Sequence, residues 1–299
     1  MMRVMLIVNP RAGRSSGGDA AASAEKQLRR GGWEVTTQPT QRPGDAERLA
    51  RRAVGEGFDA VFGCGGDGTL SQVLAGLLDS GIPGGVIPAG TGNDFCRTIG
   101  LSRDPGVAAQ QTLRGQPTDI DLLALDGGRL WSVNAVGVGF DARVAARMNR
   151  RLRLTAGLPA YLTAVAQELV RHRPTEMRLR VDDESWEGRA LLVAVANGRS
   201  YGAGMQIAPR ALIDDGLLDV VLVRHLGRLA FLASFPRVLS GSHLTHPAVR
   251  TWRASEVIVE TPAPSPVLVD GDIRTRTPVT VRMAPARARF WMPGQLEET

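Results

Sequence analysis

Over its first hundred residues the chain passes repeatedly from a short apolar stretch, through a loop of small residues, into a pattern of helical period. That succession requires β-α units and a parallel sheet. Arg3 to Val8 form the first apolar run, closed by Asn9-Pro10 and the glycine-bearing RAGRSSGG. Asp19 to Arg30 read as a helix and Trp33 to Thr37 as a second strand. After Pro43-Gly44-Asp45, a helix start signal, small or apolar residues recur at 46, 49, 50, 53 and 54. Phe58 to Phe62 make a third strand, and Leu70, Val73, Leu74, Leu77 and Leu78 trace one helical face. Gly84 to Ile87 make a fourth strand that runs into PAGTGNDF. Glycine-rich loops at strand C-termini put a ligand at one edge of such a sheet.

Beyond about residue 120 the period changes. DIDLLALDG, RLWSVNAVGVG, MRLRVDD, RALLVAVANG, LLDVVLVRH, EVIVETP, SPVLVDGD and PVTVRMA are short β-type runs bounded by turn residues, the pattern of an antiparallel sandwich. Helical composition interrupts them at Ala142 to Leu152, Leu158 to Arg171 and Arg228 to Leu239. The expected organisation is a Rossmann-like α/β domain over residues 1–120 and an antiparallel β-sandwich over 121–299. The last strand is a candidate for return to the first domain.

With 299 residues, 43% of them hydrophobic and 22% charged, the chain can bury two cores. No apolar run reaches the roughly 18 to 20 residues of a membrane span, and MMRVMLIVNP is too short in its apolar part for a signal peptide. A cytoplasmic protein is expected. Cys64 and Cys96 lack the spacing of a metal site or redox pair. The net charge of +6 is carried by arginine, Lys26 being the sole lysine. That charge forms no block of like sign, which disfavours nucleic acid as a partner. The densest cluster, Arg143 to Arg153, reads as a solvated helix face.

The stretch GCGGDGTLSQ satisfies two patterns at once. Gly63, Gly65 and Gly68 spell the G-x-G-x-x-G of dinucleotide-binding proteins, but that fingerprint follows a first strand and is trailed by a ribose-binding acid some twenty residues on. Here it follows the third strand, and the corresponding position reads IPAG. No G-x-x-x-x-G-K-[ST] occurs either. Asp67, among glycines at a helix start, suits a phosphate cradle, where N–H groups and the helix dipole attract the anion. A carboxylate beside phosphates implies an intervening cation such as Mg2+, or proton handling. The same glycines would serve an ordinary tight turn. The companion loops NPRAG and GTGND, each at a strand end on the same edge, favour a converging nucleotide site.

NPRAG, GGDGTL and PAGTGNDFCR, in this order and spacing, resemble the bacterial soluble diacylglycerol kinase family, whose catalytic domain is shared with sphingosine and ceramide kinases. IDDGLLDVVLV and VLVDGDIR resemble two later motifs of that family, so the similarity spans nearly the whole chain. It implies transfer of the γ-phosphoryl group of MgATP to a lipid alcohol by a cytoplasmic enzyme that associates peripherally with the inner membrane surface. It also implies that Asn9, Pro10, Arg11, Ala12, Gly13, Thr40, Gly65, Gly66, Asp67, Gly68, Thr69, Leu70, Ser71, Thr91 and Asn93 line the ATP site. A structural Mg2+ would be held by Asp215 and the backbone oxygens of Leu212 and Leu217. Without the resemblance, Asp214-Asp215-Gly216 is a hairpin turn.

A lipid hydroxyl needs a positioned base as the phosphoryl group arrives. VLVDGDIR offers Asp270 and Asp272; the family's third residue in this motif corresponds to Asp272, and Asp270 is its rival. The family usually has Asn-Glu where this chain has Ser71-Gln72, lysine where it has Arg14, and glutamate where it has Asp272. Alternatives are a kinase of a soluble substrate, as in NAD kinases, and a nucleotide- or lipid-binding regulator without catalysis; a homodimer is left open. His243-x-x-His246 reads as a solvated loop, and Leu158 to Val170 as an amphipathic cover of the sandwich in preference to an acyl groove.

Overall fold

Strand β1 (Arg3–Val8) is buried on both faces, with Val4, Leu6 and Val8 in one apolar cluster and Met5 and Ile7 in another. A strand apolar on both sides belongs to the interior of a sheet covered by helices on each face. The computed structural model describes residues 1–13, 17–151, 158–171, 174–202 and 204–296. The chain divides into two units, Met1–Leu122 with Pro285–Thr299, and Leu123–Ala284.

In the first unit β1 is followed by α1 (Gly17–Arg30), β2 (Glu34–Pro39), α2 (Asp45–Gly55), β3 (Ala60–Gly65), α3 (Asp67–Leu77) and β4 (Gly84–Pro88). Then come α4 (Asp94–Thr98), α5 (Pro105–Leu113) and β5 (Gln116–Ile120). β1 pairs in parallel with β2 and β3, and β3 with β4. Ala20, Ala24 and Leu28 of α1 and Ala109 of α5 cover one face beside Phe62 and Ile87. Leu49, Ala50 and Ala53 of α2 and Val73 and Leu77 of α3 cover the other. α4 and α5 are absent from the elements read in the sequence. Asp104 caps α5 by accepting from the Val107 N–H at 2.9 Å, with Pro105 at the first helical position.

The second unit runs through β6 (Leu123–Leu125), β7 (Leu130–Ser132), β8 (Ala135–Gly139), α6 (Phe140–Arg151), α7 (Leu158–Arg171), β9 (Thr175–Val181), β10 (Glu184–Ala196) and β11 (Leu218–Arg224). It continues with α8 (Arg228–Ser234), α9 (Arg237–Ser240), β12 (Val249–Ala254), β13 (Glu256–Glu260), β14 (Pro266–Val269), β15 (Asp272–Arg276) and β16 (Val279–Met283). All its strand pairings are antiparallel. The thirteen-residue β10 pairs with β9 through its first half and with β8 and β11 through its second. Its Val193 and Val195 join Val220 and Leu222 of β11 in the inner core, while Ala194 and Ala196 face the helices with Val221 and Val223. This is the sandwich-like arrangement expected from strands of period two.

Two runs read as single strands are divided. DIDLLALDG is split between β5 and β6, where the chain leaves one unit for the other. RLWSVNAVGVG is broken at Val133-Asn134, whose N–H groups bond to a side chain instead of a neighbouring strand. The segment Arg228 to Leu239 is two short helices, because Pro236 cannot donate to the preceding turn. After β16 the chain returns to the first sheet as β17 (Ala288–Met292), giving the order β2-β1-β3-β4-β17-β5.

Candidate functional site

Each strand of the β2-β1-β3-β4 group ends in a loop at the same edge of the first sheet, and hydrogen bonds tie these loops together. At the end of β1 the Asn9 N–H donates to the Cys64 carbonyl at 2.9 Å. The Asn9 Oδ1 accepts from the Arg11 N–H at 3.0 Å and its carbonyl from the Ala12 N–H at 3.1 Å, which folds Asn9 to Gly13 into a tight turn. Its Nδ2 reaches Thr69 Oγ1 at 3.4 Å. At the end of β2 the Thr40 N–H donates to the Val8 carbonyl at 2.8 Å.

The turn after β3 is pressed against the turn after β4. The Gly65 carbonyl accepts from the N–H groups of both Ala89 and Gly90, at 2.9 and 3.1 Å. A Cβ on Gly90 would stand 2.6 Å from the Gly66 Cα and 2.7 Å from Asn93 Oδ1, so only glycine permits the approach. Asn93, buried and left-handed (φ 50°), accepts from the Gly90 N–H and donates to the Gly90 carbonyl, closing the GTGN loop on itself.

Asp67 joins these two turns. Its Oδ2 accepts from the Asp94 N–H at 2.9 Å and its Oδ1 from the Phe95 N–H at 3.1 Å, so a residue on the first turn of α3 caps the start of α4. The first turn of α3 also presents N–H groups that no carbonyl of the helix can reach, with the positive end of the helix dipole behind them. Thr69 and Ser71 are buried, and Leu70 is fully enclosed in the sheet's core, so Leu70 can offer a ligand only backbone atoms. Thr91 is exposed. Cys64 is buried, which pushes its thiol up to about 12, and Cys96 is pushed up as well by burial and by the Asp67 and Asp94 carboxylates. Both stay protonated near neutral pH, so neither is a thiolate nucleophile.

In the second unit, Asp270 and Gly271 form the two-residue turn of the β14–β15 hairpin, with φ of 47° and 90°. Positive φ at both positions is the conformation Asp-Gly favours. The Asp270 carboxylate turns back over β8. It accepts from Ser132 Oγ at 2.8 Å and from the N–H groups of Val133, Asn134 and Ala135, each at 3.1 Å. Asp272 opens β15 and is exposed. Sequence reasoning left these two acids as rivals. The geometry separates them: Asp270 fills its carboxylate with four local donors, while Asp272 presents its own to solvent.

At the turn before β11, Asp215 Oδ1 accepts from the Leu217 N–H at 3.1 Å and its other oxygen pairs with Arg253. Nearby Asp219 has a buried Oδ2 without a hydrogen-bond partner. Burial pushes its carboxyl up to about 6, Arg253 opposing and the Asp215 charge adding to the rise. Two carboxylates around the start of β11, one with an unpartnered buried oxygen, fit the oxygen donor set of a hard cation. Among the described residues no cluster of three or more His, Cys, Asp or Glu could hold a metal, so any ion here would draw on backbone carbonyls as well.

The sequence profile described as the diacylglycerol kinase catalytic domain matches residues 3–125, and the YegS C-terminal NAD kinase beta sandwich-like domain matches residues 134–291. A diacylglycerol kinase of Mycobacterium tuberculosis is 36% identical over 97% of this chain and 95% of its own. The protein named "Probable lipid kinase YegS-like" of Stenotrophomonas maltophilia is 32% identical over 98% of this chain and 96% of its own. A crystal structure of a diacylglycerol kinase from Bacillus anthracis superposes with a TM-score of 0.76 at 25% identity, covering 94% of this chain and 93% of that one. The chain belongs to the diacylglycerol kinase family.

For this lipid kinase family member, the fold puts the expected residues at one sheet edge: Asn9 to Gly13, Thr40, Thr91 and Asn93 in the loops after β1, β2 and β4, and Gly65 to Ser71 at the end of β3 and the start of α3. Arg14 lies outside the described residues. Sequence reasoning did not name Asp219, Ser132, Asn134 or Asn197. Asn134 donates to the Ser200 carbonyl, and Asn197 to that of Val133, each at 2.9 Å, holding the segment that Asp270 grips. The only sequence signal for them is an asparagine within each of two strand-like runs, SVNAVG and VANG. His243 is buried, with its ring Nε2 at 3.1 Å from the Ile207 carbonyl; burial pulls its pKa down, so it belongs to the packing and not to a solvated loop.

Proposed function

We propose that the protein transfers the γ-phosphoryl group of ATP to the hydroxyl of diacylglycerol or a similar lipid alcohol. The observation that carries this reading is the locked pair of turns after β3 and β4, with Asp67 bonded to the N–H groups of Asp94 and Phe95. Such a frame keeps the α3 N-terminus and its glycines in place for phosphate oxygens before the nucleotide arrives. Preorganisation of this kind costs nothing further at the moment of reaction.

In the proposed reaction the lipid oxygen attacks the γ-phosphorus, its proton passes to the Asp272 carboxylate, and the bond from the γ-phosphorus to the bridging oxygen breaks, releasing ADP. Asp272 suits the acceptor role because it is exposed. Asp270 suits a different one, fixing the hairpin that carries Asp272. Mg2+ accompanying ATP would neutralise charge on the phosphates. A structural Mg2+ at Asp215, the carbonyls of Leu212 and Leu217, and Asp219 would remove the cost of the unpartnered buried oxygen.

The test is transfer of label from ATP to a panel of lipid alcohols in mixed detergent micelles. We expect phosphorylated diacylglycerol or a related lipid. Folded protein that labels none of them would overturn the reading. Because the second profile is described as NAD kinase-like, the panel includes a lipid-free arm with soluble alcohols.

A further inference from the structure

One segment of the second unit has a composition that the active-site chemistry does not require. From Val220 to Ser255 the chain holds no aspartate or glutamate, although 30 such residues occur in the 299. The same segment holds Arg224, Arg228, Arg237, Arg250 and Arg253. Arg250 and Arg253 are paired with Glu184 and Asp215, whereas Arg224 donates to the neutral Pro247 carbonyl and keeps its charge, and both Arg224 and Arg237 are exposed.

The helices α8 and α9 in this segment expose their leucines. Leu229 is 83% exposed, Leu232 55% and Leu239 58%, and these are three of the largest departures from burial among the apolar side chains described. Leu229 and Leu232, three residues apart, share one face of α8. The opposite face is anchored: Phe231 packs on Phe140 at 5.1 Å between ring centroids and on Phe235 at 5.5 Å. The leucines therefore stand out from a helix that is itself held down by aromatic packing. Water contact with three leucines is unfavourable, and the exposed arginines of a segment that itself carries no acid repel basic partners while attracting anionic ones.

We propose that α8 and α9 are the surface by which this protein seats itself on an anionic lipid bilayer, with Leu229, Leu232 and Leu239 entering the headgroup boundary and Arg237 meeting lipid phosphates. The inference rests on the lipid kinase reading and gives that reading a docking face. It also links the face to the chemistry, because Ile273, next to Asp272, packs into the same apolar cluster as Phe231, Phe235 and Val238. A helix pair resting on the bilayer thus shares one packed body with the hairpin that bears the proposed proton acceptor.

The experiment is co-sedimentation of the full chain with vesicles of equimolar phosphatidylcholine and phosphatidylglycerol, alongside phosphoryl transfer to lipid alcohol in detergent micelles. Wild type should bind the vesicles and lose binding in high salt. Leu229→Glu with Leu232→Glu should lower binding about tenfold or more, and Arg237→Gln should lower it and flatten the salt dependence. Micelle activity should stay at the wild-type level in both. Vesicle binding unchanged by the leucine substitutions, or absent in wild type, overturns the docking face while micelle activity still reports on the kinase reading. Self-association that disappears with the same leucine substitutions, without vesicle binding, assigns the face to a second copy of the chain and likewise overturns the proposal.

Discussion

At the scale of single residues, the two acids of the D-G-D turn differ in what they touch. Asp270 accepts four hydrogen bonds, three of them from consecutive backbone N–H groups at Val133 to Ala135. An amide in its place would turn an NH2 group toward at least one of those donors, leaving a backbone N–H without an acceptor. Asp270→Asn should therefore lower unfolding free energy by about 1–3 kcal/mol in urea denaturation. Asp272→Asn, on an exposed side chain, should leave stability within about 0.5 kcal/mol. It should nonetheless reduce kcat by roughly 100-fold or more. The opposite pattern, a destabilised Asp272→Asn and a stable but inactive Asp270→Asn, would reverse the two roles. The sequence could not make this distinction, since the donors to Asp270 lie about 135 positions earlier in the chain.

At the scale of elements, the parallel strands β1, β3 and β4 were legible because each is an apolar or small-residue run closed by turn residues. Burial on both faces demands that pattern. The short α4 was not legible, because five residues carry too little period and its cap comes from Asp67, 27 positions away. The start of α6 was likewise placed two residues late, and the reason lies in Asp141. Its carboxyl is buried, accepts from the Ala142 N–H at 2.8 Å, and is pushed up to about 6 by burial, with Ala142, Tyr201 and Arg143 opposing. With the folded pKa above the unfolded value of 3.8, the folded state holds the proton longer. The resulting stability is full below about pH 4 and is lost as pH rises through about 6. Wild type minus Asp141→Asn, measured by urea unfolding, should fall by up to about 3 kcal/mol between pH 4 and pH 7. A difference that stays flat or rises across that range would show that the carboxyl is not held in its neutral form.

At the scale of the whole chain, the first sheet cannot be completed by the residues that begin it. β17 lies between β4 and β5, pairing in parallel with β4 at Phe290–Gly84 and antiparallel with β5 from Ala288 to Met292. Phe290 is fully buried with its ring edge-on to Phe95 at 5.4 Å, and Trp291 stacks edge-on to Trp33 at 5.4 Å while its Nε1 donates to the Thr112 carbonyl at 2.8 Å. This strand connects residues nearly two hundred positions apart, so the loops at the strand ends rest on a sheet that closes only when the last segment arrives. Long-range closure of that kind is the part of a fold that local period does not encode. Phe290→Ala should then cost about 3–5 kcal/mol, through lost burial and a cavity beside Phe95, and it should weaken the proposed ATP binding as the β4 edge loosens. Ending the chain at Pro285 should do more, removing the neighbour of both β4 and β5 and exposing the first unit to proteolysis while the strands of Leu123–Ala284 keep their own pairings. Limited proteolysis followed by mass analysis distinguishes the outcomes. Equal protection of both units in the shortened chain, or a Phe290→Ala protein within 1 kcal/mol of wild type, would mean that β17 decorates the sheet without completing it.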